Sequence, residues 1–480
     1  MNQESVTFAI IGAGTAGMRA YREIARHSDS IRLIEGGRYG TTCARVGCMP
    51  SKLLIAAAER AHQVRHADLF GVRVPEVQID GRAVMKRVRS ERDRFVGFVV
   101  ETVHGFKEEH RIQAFARFLD NHTLKLSDGR ILKAERVVIA TGSRPTVPPL
   151  LQGLEDRVIT SDDLFEWEDL PKSVAVLGSG VIGLELGQAL HRLGVRVKIF
   201  GRNGRVGGLT DPAVVAEANR IFATETPIDT RARVERVERA DNGLILHYFD
   251  GDNREHIETF ELVLAATGRM PNVDRLGLEN TSLTCDDRGV PHHDPLTGQC
   301  GDSPIFIAGD ATHELPLLHE ASDEGQVAGL NAVHYPEVHR YAKRAPITVI
   351  FTDPQLMIVG PGHRALSQRA TPVVTGAVDF GDQGRSRILG ENRGLLHVYG
   401  EPVTGRFLGA EMVGPRAEHL AHLLAWSLQS NLTVADMLER PFYHPVIEEG
   451  LRTALRNLHA KLGQEGSPGL RRLNGTVSRD

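Results

Sequence analysis

Short apolar runs alternate along the chain with longer segments in which apolar residues recur at helical spacing. The run VTFAII (6–11) precedes one such helical segment, and the run SVAVL (173–177) precedes another. Brief apolar runs that lead through a turn into a helix are typical of buried parallel strands in α/β sheets. The pattern therefore predicts two strand–turn–helix units of a doubly wound fold.

Both apolar runs are followed by a glycine-rich turn of the same spacing, GAGTAG (12–17) and GSGVIG (178–183). Glycine allows a sharp turn, and the N-terminus of the next helix directs unpaired amides at a pyrophosphate. One copy alone could be an ordinary turn, but the strand IRLIE ends in Glu35, 23 residues after Gly12, where an acid can accept adenosine ribose hydroxyls. Two copies therefore predict two bound nucleotides. The glycines of the two motifs are Gly12, Gly14, Gly17, Gly178, Gly180 and Gly183.

Three more strand-like runs end in residues suited to a bound cofactor. RVVIATGSRP (136–145) and LVLAATGRMPN (262–272) both contain Ala-Thr-Gly, and IFIAGD (305–310) ends in a carboxylate ahead of a helix. A carboxylate there can accept hydrogen bonds from the sugar-like chain of a cofactor. The prolines of 144–150 predict a linker. The candidate cofactor-binding residues at these ends are Thr141, Gly142, Gly268 and Asp310.

Composition places the chain among ordinary globular proteins. Its 480 residues are 41 % apolar and 25 % charged, which suits about three domains, and the net charge of -4 gives no sign of a nucleic-acid partner. No run of roughly 18 apolar residues predicts a membrane-spanning helix, and the residues ahead of the first apolar run lack the basic charge of a signal peptide. Four cysteines are too few for a disulfide scaffold. We therefore expect a cytoplasmic protein.

The segment 36–60 carries the candidate chemistry. Cys43 and Cys48 are separated by four residues, and a helix is predicted from about Pro50. Two unrelated buried thiols are one interpretation, and a metal site is another. A metal site would need a second close pair of ligands, whereas Cys285 and Cys300 are isolated. A nucleotide motif directly upstream favours a redox pair, since a thiolate at a helix N-terminus and beside a cation has a lowered pKa, which exchange with a disulfide requires.

Taken together, these motifs resemble the flavoprotein disulfide reductase family, and most closely its dihydrolipoyl dehydrogenases. The resemblance extends to about residue 460 and includes GCMPSK after Cys43 and FYHPVIEEG near the C-terminus. It implies FAD in the first nucleotide site, a nicotinamide cofactor in the second, and a homodimer. It also implies that Cys43 exchanges with the substrate while Cys48 contacts the flavin as a charge-transfer thiolate.

Four further site residues are implied by the same resemblance. Lys52 matches a lysine whose ammonium stabilises negative charge on the flavin, and Glu185 matches its acidic partner. For either residue alone, a surface salt bridge is the alternative. His444 matches the family's His-Pro motif, with Glu449 as the carboxylate that orients the imidazole. In this family the histidine serves the Cys43 position of the other subunit.

The residues around the second nucleotide motif give conflicting indications of whether NAD or NADP binds there. At Gly183 and Val181 the sequence resembles that of NAD-using dehydrogenases. Gly201, however, stands 23 residues after the first glycine, where NAD-using relatives place an acid, and Arg202 follows it with Arg205 nearby. An arginine there can bind a 2′-phosphate, although two solvent-facing loop arginines are an equal alternative. We expect NAD or NADP, with NAD slightly favoured.

Several positions depart from the family pattern. Thr41 and Arg45 flank Cys43, so substrate access or redox poise can differ from that of a housekeeping lipoamide enzyme, and Arg45 could attract an anionic disulfide. The other departures are Gln355, Tyr443 and Val446.

The predicted fold is α/β, with two doubly wound Rossmann-like domains and a C-terminal α+β dimerisation domain. The predicted regions are an FAD-binding domain (1–150), an NAD(P)-binding domain (151–272), a central segment that completes the FAD domain (273–345), an interface domain (346–465) and a polar tail (466–480).

The predicted function is oxidation of dihydrolipoamide, free or on a lipoyl domain of a 2-oxoacid dehydrogenase complex. An NADPH-dependent reductase of a glutathione-like disulfide is one alternative, and a non-catalytic flavin-binding subunit is another. Mercuric reductase is disfavoured because no cysteine follows Cys300, and a transhydrogenase because the cysteine pair is present.

Overall fold

The computed structural model describes residues 3–463, which separate into two compact units. The first combines the described part of Met1–Ala56 with Asp80–Leu170 and Ala265–Lys343. The second combines Ala57–Ile79, Pro171–Leu264 and the described part of Arg344–Asp480. The predicted polar tail (466–480) lies outside the described residues.

The described residues form strands and helices in the alternating order that the apolar pattern predicts. The strands are β1 (Gln3–Ile11), β2 (Ile31–Glu35), β3 (Arg111–Gln113), β4 (Ala116–Phe118), β5 (Thr123–Leu126), β6 (Ile131–Ile139), β7 (Ser143–Pro145), β8 (Val158–Ile159), β9 (Ser173–Leu177), β10 (Arg196–Phe200), β11 (Ile228–Asp229), β12 (Arg233–Ala240), β13 (Gly243–Phe249), β14 (Glu255–Phe260), β15 (Leu262–Ala265), β16 (Arg269–Pro271), β17 (Ile305–Ile307), β18 (Ile347–Ile350), β19 (Gln355–Val359), β20 (Val374–Asp379), β21 (Leu395–Gly400) and β22 (Phe407–Gly414). The helices are α1 (Thr15–Ile24), α2 (Thr42–Val46), α3 (Cys48–Arg65), α4 (Gly81–His104), α5 (Ser161–Leu164), α6 (Val181–Arg192), α7 (Pro212–Glu225), α8 (Leu318–His334), α9 (Gly362–Ser367), α10 (Gly384–Leu389), α11 (Ala417–Gln429), α12 (Val434–Leu438) and α13 (Glu448–Lys461).

The first unit contains a sheet in the order β3-β2-β1-β6-β5-β4, with β17 paired to β6. Strands β1, β2, β3, β6 and β17 pair in parallel, so their carboxyl ends lie along one edge. Helix α8 packs closely on α1 because it carries Gly325 and Gly329 opposite Ala16 and Ala20. The sheet therefore positions the first glycine turn and the end of β17 at the same edge.

The second unit contains the strand order β11-β10-β9-β15, in which β10 pairs in parallel with β11 and β9, and an antiparallel sheet β12-β13-β14. A further antiparallel sheet, β18-β19-β22-β21-β20, packs against α11 and α13 around a buried apolar core. The doubly wound α/β fold with a C-terminal α+β region is confirmed.

Two local predictions differ from the structure. Helix α3 begins at Cys48 rather than near Pro50, because the Ser51 amide already donates to the Gly47 carbonyl at 3.1 Å. Part of the predicted linker 144–150 forms strand β7, which pairs antiparallel with β16. Proline is compatible with an edge strand, so the sequence pattern alone did not reveal this pairing.

Within residues 3–463, no helix combines the length and apolarity that crossing a membrane would require.

Candidate active site

Cys43 and Cys48 lie in the first turns of two consecutive helices. Thr41 caps α2 by accepting a hydrogen bond from the Ala44 amide at 3.2 Å, and Cys48 is the first residue of α3. The backbone between them is tight, since a Cβ at Gly47 would lie 3.2 Å from the Cys43 Cα. The two thiols are hydrogen-bonded, with Cys43 half-buried and Cys48 exposed. The sequence therefore folds locally into a contacting pair of sulfurs.

The surroundings of Cys43 favour the protonated form of its thiol, contrary to the lowered pKa that its place near a helix N-terminus predicts. The hydrogen bond with Cys48 and then burial raise the pKa of Cys43 well above its ordinary value. The charge of Lys52, one turn into α3, acts in the opposite direction, and its Nζ lies 3.4 Å from Ser51 Oγ. A thiol held in this way needs a base before it can act as a nucleophile.

The turn after β1 leaves open space at the N-terminus of α1. Gly12 has a φ of 109°, and a side chain at Gly17 would collide with the Gly12 carbonyl oxygen. By contrast, apart from its two neighbours in the chain, no described residue has an atom within 4 Å of a Cβ built at Gly14, and no described side chain caps the helix there. Glu35, at the end of β2, accepts a hydrogen bond from the Ala13 amide at 2.9 Å. Helix amides and a carboxylate therefore border one open space.

The carboxyl ends of β6 and β17 bring more of the predicted residues into the same unit. Thr141 and Gly142 follow β6, and Asp310 follows β17, its neighbour in the sheet. The Thr141 hydroxyl is buried and has no hydrogen-bond partner among the described residues. Buried hydroxyls normally have one, so this atom fits contact with a ligand. Gly142 and Gly268 adopt φ values of 66° and 125°, which favour glycine.

The second glycine turn repeats the first in the other unit. Gly178 has a φ of 121°, and a side chain at Gly183 would collide with the Gly178 carbonyl oxygen. The space around Gly180, the N-cap of α6, is open, and Val181 begins the helix with 39 % of its surface exposed. This turn can receive a second pyrophosphate.

The residue after β10 has no room for the acid that NAD-using relatives carry. A side chain at Gly201 would collide with Ser179, and its Cβ would lie 2.9 Å from the Thr230 Cα. The Ser179 hydroxyl is held in place by donating to the Arg205 carbonyl at 2.8 Å. Arg202 follows in an exposed position. A carboxylate side chain therefore does not fit at position 201, and the next residue, Arg202, places a positive charge there instead.

Lys52 and Glu185 belong to different units, so their pairing stays a prediction. Glu185 is 4 % exposed, and its Oε1 accepts a hydrogen bond from the Phe351 amide at 3.0 Å. This contact gives the buried carboxylate a local structural role.

His444 lies just before α13 and contacts Glu449 in the first turn of that helix. His444 Nδ1 lies 2.9 Å from Glu449 Oε2, and Arg452 donates to Glu449 Oε1 at 2.8 Å. Desolvation tends to raise the pKa of Glu449. The hydrogen bonds of this carboxylate with His444 and with the Val446 amide outweigh it, so that the pKa is lowered overall. The His444 side chain is 80 % exposed, so its ring is available to a second molecule.

Three contributing residues were missed in the sequence. Ser143 and Arg269 contact each other near Asp310, and Arg452 supports Glu449. The sequence pattern that could have indicated them is simple. Ser143 and Arg269 each directly follow an Ala-Thr-Gly segment, and Arg452 stands three positions after Glu449.

Family models match nearly all of the described chain. The model for "Pyridine nucleotide-disulphide oxidoreductase" matches residues 6–325, and the dimerisation-domain model of the same name matches residues 347–455. The chain belongs to the pyridine nucleotide-disulphide oxidoreductase family. Dihydrolipoyl dehydrogenase from Chlamydia pneumoniae is 30 % identical over 446 residues, which cover 92 % of this chain and 94 % of that protein. Mercuric reductase from Shigella flexneri is 30 % identical over 470 residues, which cover 95 % and 81 %.

Solved structures of other pyridine nucleotide-disulphide oxidoreductase relatives share this fold. The flavoprotein disulfide reductase RclA from Escherichia coli has a TM-score of 0.78 at 21 % identity, covering 94 % of this chain and 99 % of that one. LpdA from Mycobacterium tuberculosis has a TM-score of 0.80 at 24 % identity, covering 94 % and 100 %. At these identities the likeness bears on the fold.

FAD and a pyridine nucleotide are the cofactors of this pyridine nucleotide-disulphide oxidoreductase family, and the residues of this chain fit them. The open N-caps at Gly14 and Gly180 leave helix amides accessible to pyrophosphate groups. The unpaired Thr141 hydroxyl and the Asp310 carboxylate supply polar atoms at the sheet edge.

Proposed function

We propose that this oxidoreductase is of the dihydrolipoyl dehydrogenase type and oxidises a small dithiol such as dihydrolipoamide. The observation that carries the proposal is the hydrogen-bonded pair of Cys43 and Cys48 at the start of α3. The pair follows directly on the nucleotide motif that ends in Glu35. Two sulfurs in contact can form and break a disulfide bond, which suits exchange with a substrate that carries two thiols.

The proposed exchange begins with the cysteine pair as a disulfide. A substrate thiolate attacks the Cys43 sulfur, the Cys43–Cys48 bond breaks, and Cys48 leaves as a thiolate. The second substrate thiolate attacks the substrate sulfur of the mixed disulfide, and Cys43 leaves. The substrate has then lost two electrons and two protons, and the cysteine pair holds the two electrons.

His444 is the proposed base for this exchange. Histidine accepts and releases protons near neutral pH, and the Glu449 carboxylate fixes the orientation of its ring through Nδ1. The other ring nitrogen, Nε2, can then take a proton from a thiol. In this direction the thiol that loses its proton belongs to the substrate.

The cofactors supply the remaining redox chemistry: when bound, FAD transfers the electron pair between the dithiol and the nicotinamide. We propose that the ammonium of Lys52 stabilises negative charge on the flavin and that Glu185 orients Lys52. The residues proposed to hold FAD are Gly12, Gly14, Gly17, Glu35, Lys52, Thr141, Gly142, Gly268 and Asp310. The residues proposed to hold the pyridine nucleotide are Gly178, Gly180, Val181, Gly183 and Arg202.

We further propose a homodimer in which His444 serves Cys43 of the other subunit. The match of residues 347–455 to a dimerisation domain supports this arrangement. Beside His444, an apolar groove includes Trp426 and Tyr443, whose side chains are 64 % and 80 % exposed. Large aromatic groups at such exposure are typical of a surface that a partner covers.

Anaerobic turnover of dihydrolipoamide, with NAD⁺ or NADP⁺ as acceptor, tests the proposal. We expect oxidation by the wild-type protein and only background rates from Cys43→Ser and Cys48→Ser. Cys285→Ser is the matched control, since this exposed cysteine lies outside the pair, and it should retain activity. Failure of the wild-type holoprotein to oxidise dihydrolipoamide would exclude this substrate.

The second candidate function is an NADPH-dependent reductase of a small disulfide. It is favoured by one observation, the exclusion of an acid at Gly201 beside Arg202. Reduction of glutathione disulfide with NADPH, in the absence of dihydrolipoamide oxidation, would select this candidate. Neither activity in flavin-loaded protein would favour a flavin-binding subunit without turnover.

The remaining expectations also stay predictions. We propose that residues 1–150 and 273–345 bind FAD, 151–272 bind the pyridine nucleotide and 346–465 form the dimer interface. We also propose a cytoplasmic location, since a redox-active thiol pair with few other cysteines suits a reducing compartment, and docking to a lipoyl domain as one route to substrate.

A further inference from the structure

The side chain of Ser143 connects two residues that are distant in sequence. Its hydroxyl donates to Asp310 Oδ2 at 2.7 Å, and its oxygen accepts a hydrogen bond from Arg269 Nε at 2.8 Å. Ser143 is 9 % exposed, and the Arg269 side chain is 15 % exposed. The three residues therefore form a shielded chain of hydrogen bonds that runs from Arg269 to Asp310.

The direction of these hydrogen bonds is set by chemistry. A serine hydroxyl has one hydrogen to donate, while its oxygen can accept. Because Arg269 has only donors, it must use the acceptor side of Ser143 Oγ. The single hydroxyl hydrogen is thereby left for Asp310, whose other carboxylate oxygen remains available to a ligand.

The backbone around Ser143 is held by the same segment. Arg269 also donates from a terminal nitrogen to the Ser143 carbonyl at 2.8 Å, and strands β7 and β16 pair through Arg269↔Pro145 and Pro271↔Ser143. Asn272 donates to the Thr141 carbonyl at 3.0 Å. The second Ala-Thr-Gly segment thus fixes the main chain of the first.

The residue before Asp310 is held independently. The Gly309 amide donates to Glu324 Oε2 at 2.9 Å, and Lys343 bridges Glu324 and Glu314. The main chain before Asp310 and the carboxylate of Asp310 are therefore each held by hydrogen bonds. An acid that only keeps the surface soluble would need neither restraint.

We propose that Arg269 and Ser143 are positioning residues for FAD, which act by aiming the carboxylate of Asp310 at a hydroxyl of the sugar-like chain. This inference rests on the proposed role of Asp310 in binding FAD. Neither Arg269 nor Ser143 needs to touch the flavin. The effect of the Ser143 hydroxyl on FAD affinity is transmitted through Asp310.

Release of FAD from the purified holoprotein on dilution, followed by flavin fluorescence, gives the dissociation constant that tests the inference. We expect Ser143→Ala and Arg269→Lys each to weaken FAD binding by about tenfold, the usual scale for a hydrogen bond to a charged group. Arg82→Ala is the control, because this arginine of the same unit pairs with Asp169 in an exposed position, and it should change affinity less than about twofold.

A double variant separates positioning from general support. If Ser143 acts through Asp310, then Ser143→Ala should weaken binding no further in an Asp310→Asn background than Asp310→Asn does alone. The visible circular dichroism of the bound flavin should change in the same way in both single variants. The thermal midpoint of the FAD-free protein should stay at the wild-type value.

The outcomes distinguish the positioning role of Ser143 and Arg269 from the proposed role of Asp310 in binding FAD. Unchanged affinity in Asp310→Asn would overturn the proposed role of Asp310 itself. Weakened affinity in Asp310→Asn, with wild-type affinity in Ser143→Ala and Arg269→Lys, would overturn the positioning role alone. Additive losses in the double variant, or a lowered thermal midpoint in the FAD-free protein, would assign Ser143 a structural role instead.

Discussion

His444 Nδ1 lies 2.9 Å from Glu449 Oε2, and the other oxygen of that carboxylate accepts a hydrogen bond from Arg452. The carboxylate thus holds one ring nitrogen of a histidine whose side chain is otherwise exposed to solvent. A charged acceptor at Nδ1 stabilises the protonated ring and leaves Nε2 for proton transfer.

Replacing Glu449 with glutamine keeps the size of the side chain and removes its charge. We expect dithiol oxidation to slow by about tenfold to a hundredfold, because the imidazolium loses its stabilising partner. Rate–pH profiles check this, with Glu439→Gln, an exposed site, as the control. A wild-type profile in Glu449→Gln would contradict the role.

Mixed dimers test whether His444 acts on the other subunit. Cys43→Ser and His444→Gln homodimers should both be inactive. Co-expression of the two chains should restore about a quarter of wild-type activity, since half of the dimers are mixed and each has one intact site. Tagging each chain and isolating the mixed dimer makes the measurement direct. Inactive mixed dimers would place His444 and Cys43 of one chain in the same site.

Arg202 should matter for one nicotinamide cofactor and not for the other. We expect Arg202→Ala to weaken NADPH binding about tenfold, through loss of a charged contact to the 2′-phosphate, and to leave NADH binding within about twofold. Titration calorimetry with each reduced cofactor measures this, and Arg233→Ala, an exposed residue paired with Glu235, is the control. Equal losses for both cofactors would show that Arg202 does not read the phosphate.

Asp211 links charge to stability in the second unit. It caps α7 and accepts hydrogen bonds from His397 at 2.8 Å and Tyr399 at 2.9 Å. Burial opposes ionisation, but these hydrogen bonds prevail and lower the pKa of Asp211 from 3.8 to about 2. Its stabilisation is therefore complete above pH 3.8 and is lost as the pH falls towards about 2.

Asp211→Asn should consequently cost about 2 kcal/mol at neutral pH, and the difference from wild type should shrink as the solution is acidified below pH 4. Thermal melts across this range follow the effect. Asp252→Asn, an exposed site in the same unit, should melt like the wild type. A difference that grows on acidification would contradict the sign.

Short-range features of this protein could be predicted from its sequence, because they depend on residues close together in the chain. Gly17 permits a turn that any side chain would block, and the spacing alone indicated it. The contact between His444 and Glu449 is likewise local, although its catalytic role stays a prediction. The bonds of Ser143 to Arg269 and Asp310 join residues more than a hundred positions apart, so their geometry depends on the folded sheet.

The start of α3 shows a second limit. Pro50 indicated a helix start, but the bond from the Ser51 amide to the Gly47 carbonyl extends the helix to Cys48. Which backbone amide finds a partner is decided by the conformation of Gly47 between the two cysteines. Sequence pattern predicted the pair, and the folded turn decides that its sulfurs touch.

Counting the thiols of Cys43 and Cys48 before and after reduction tests the redox pair most directly. The oxidised holoprotein is treated anaerobically with dihydrolipoamide, alkylated, and digested for peptide mass spectrometry. We predict that both cysteines resist alkylation before treatment as one linked peptide and are both alkylated afterwards, while Cys285 reacts throughout. Alkylation of Cys43 and Cys48 to the same extent before and after treatment would contradict a redox function for the pair.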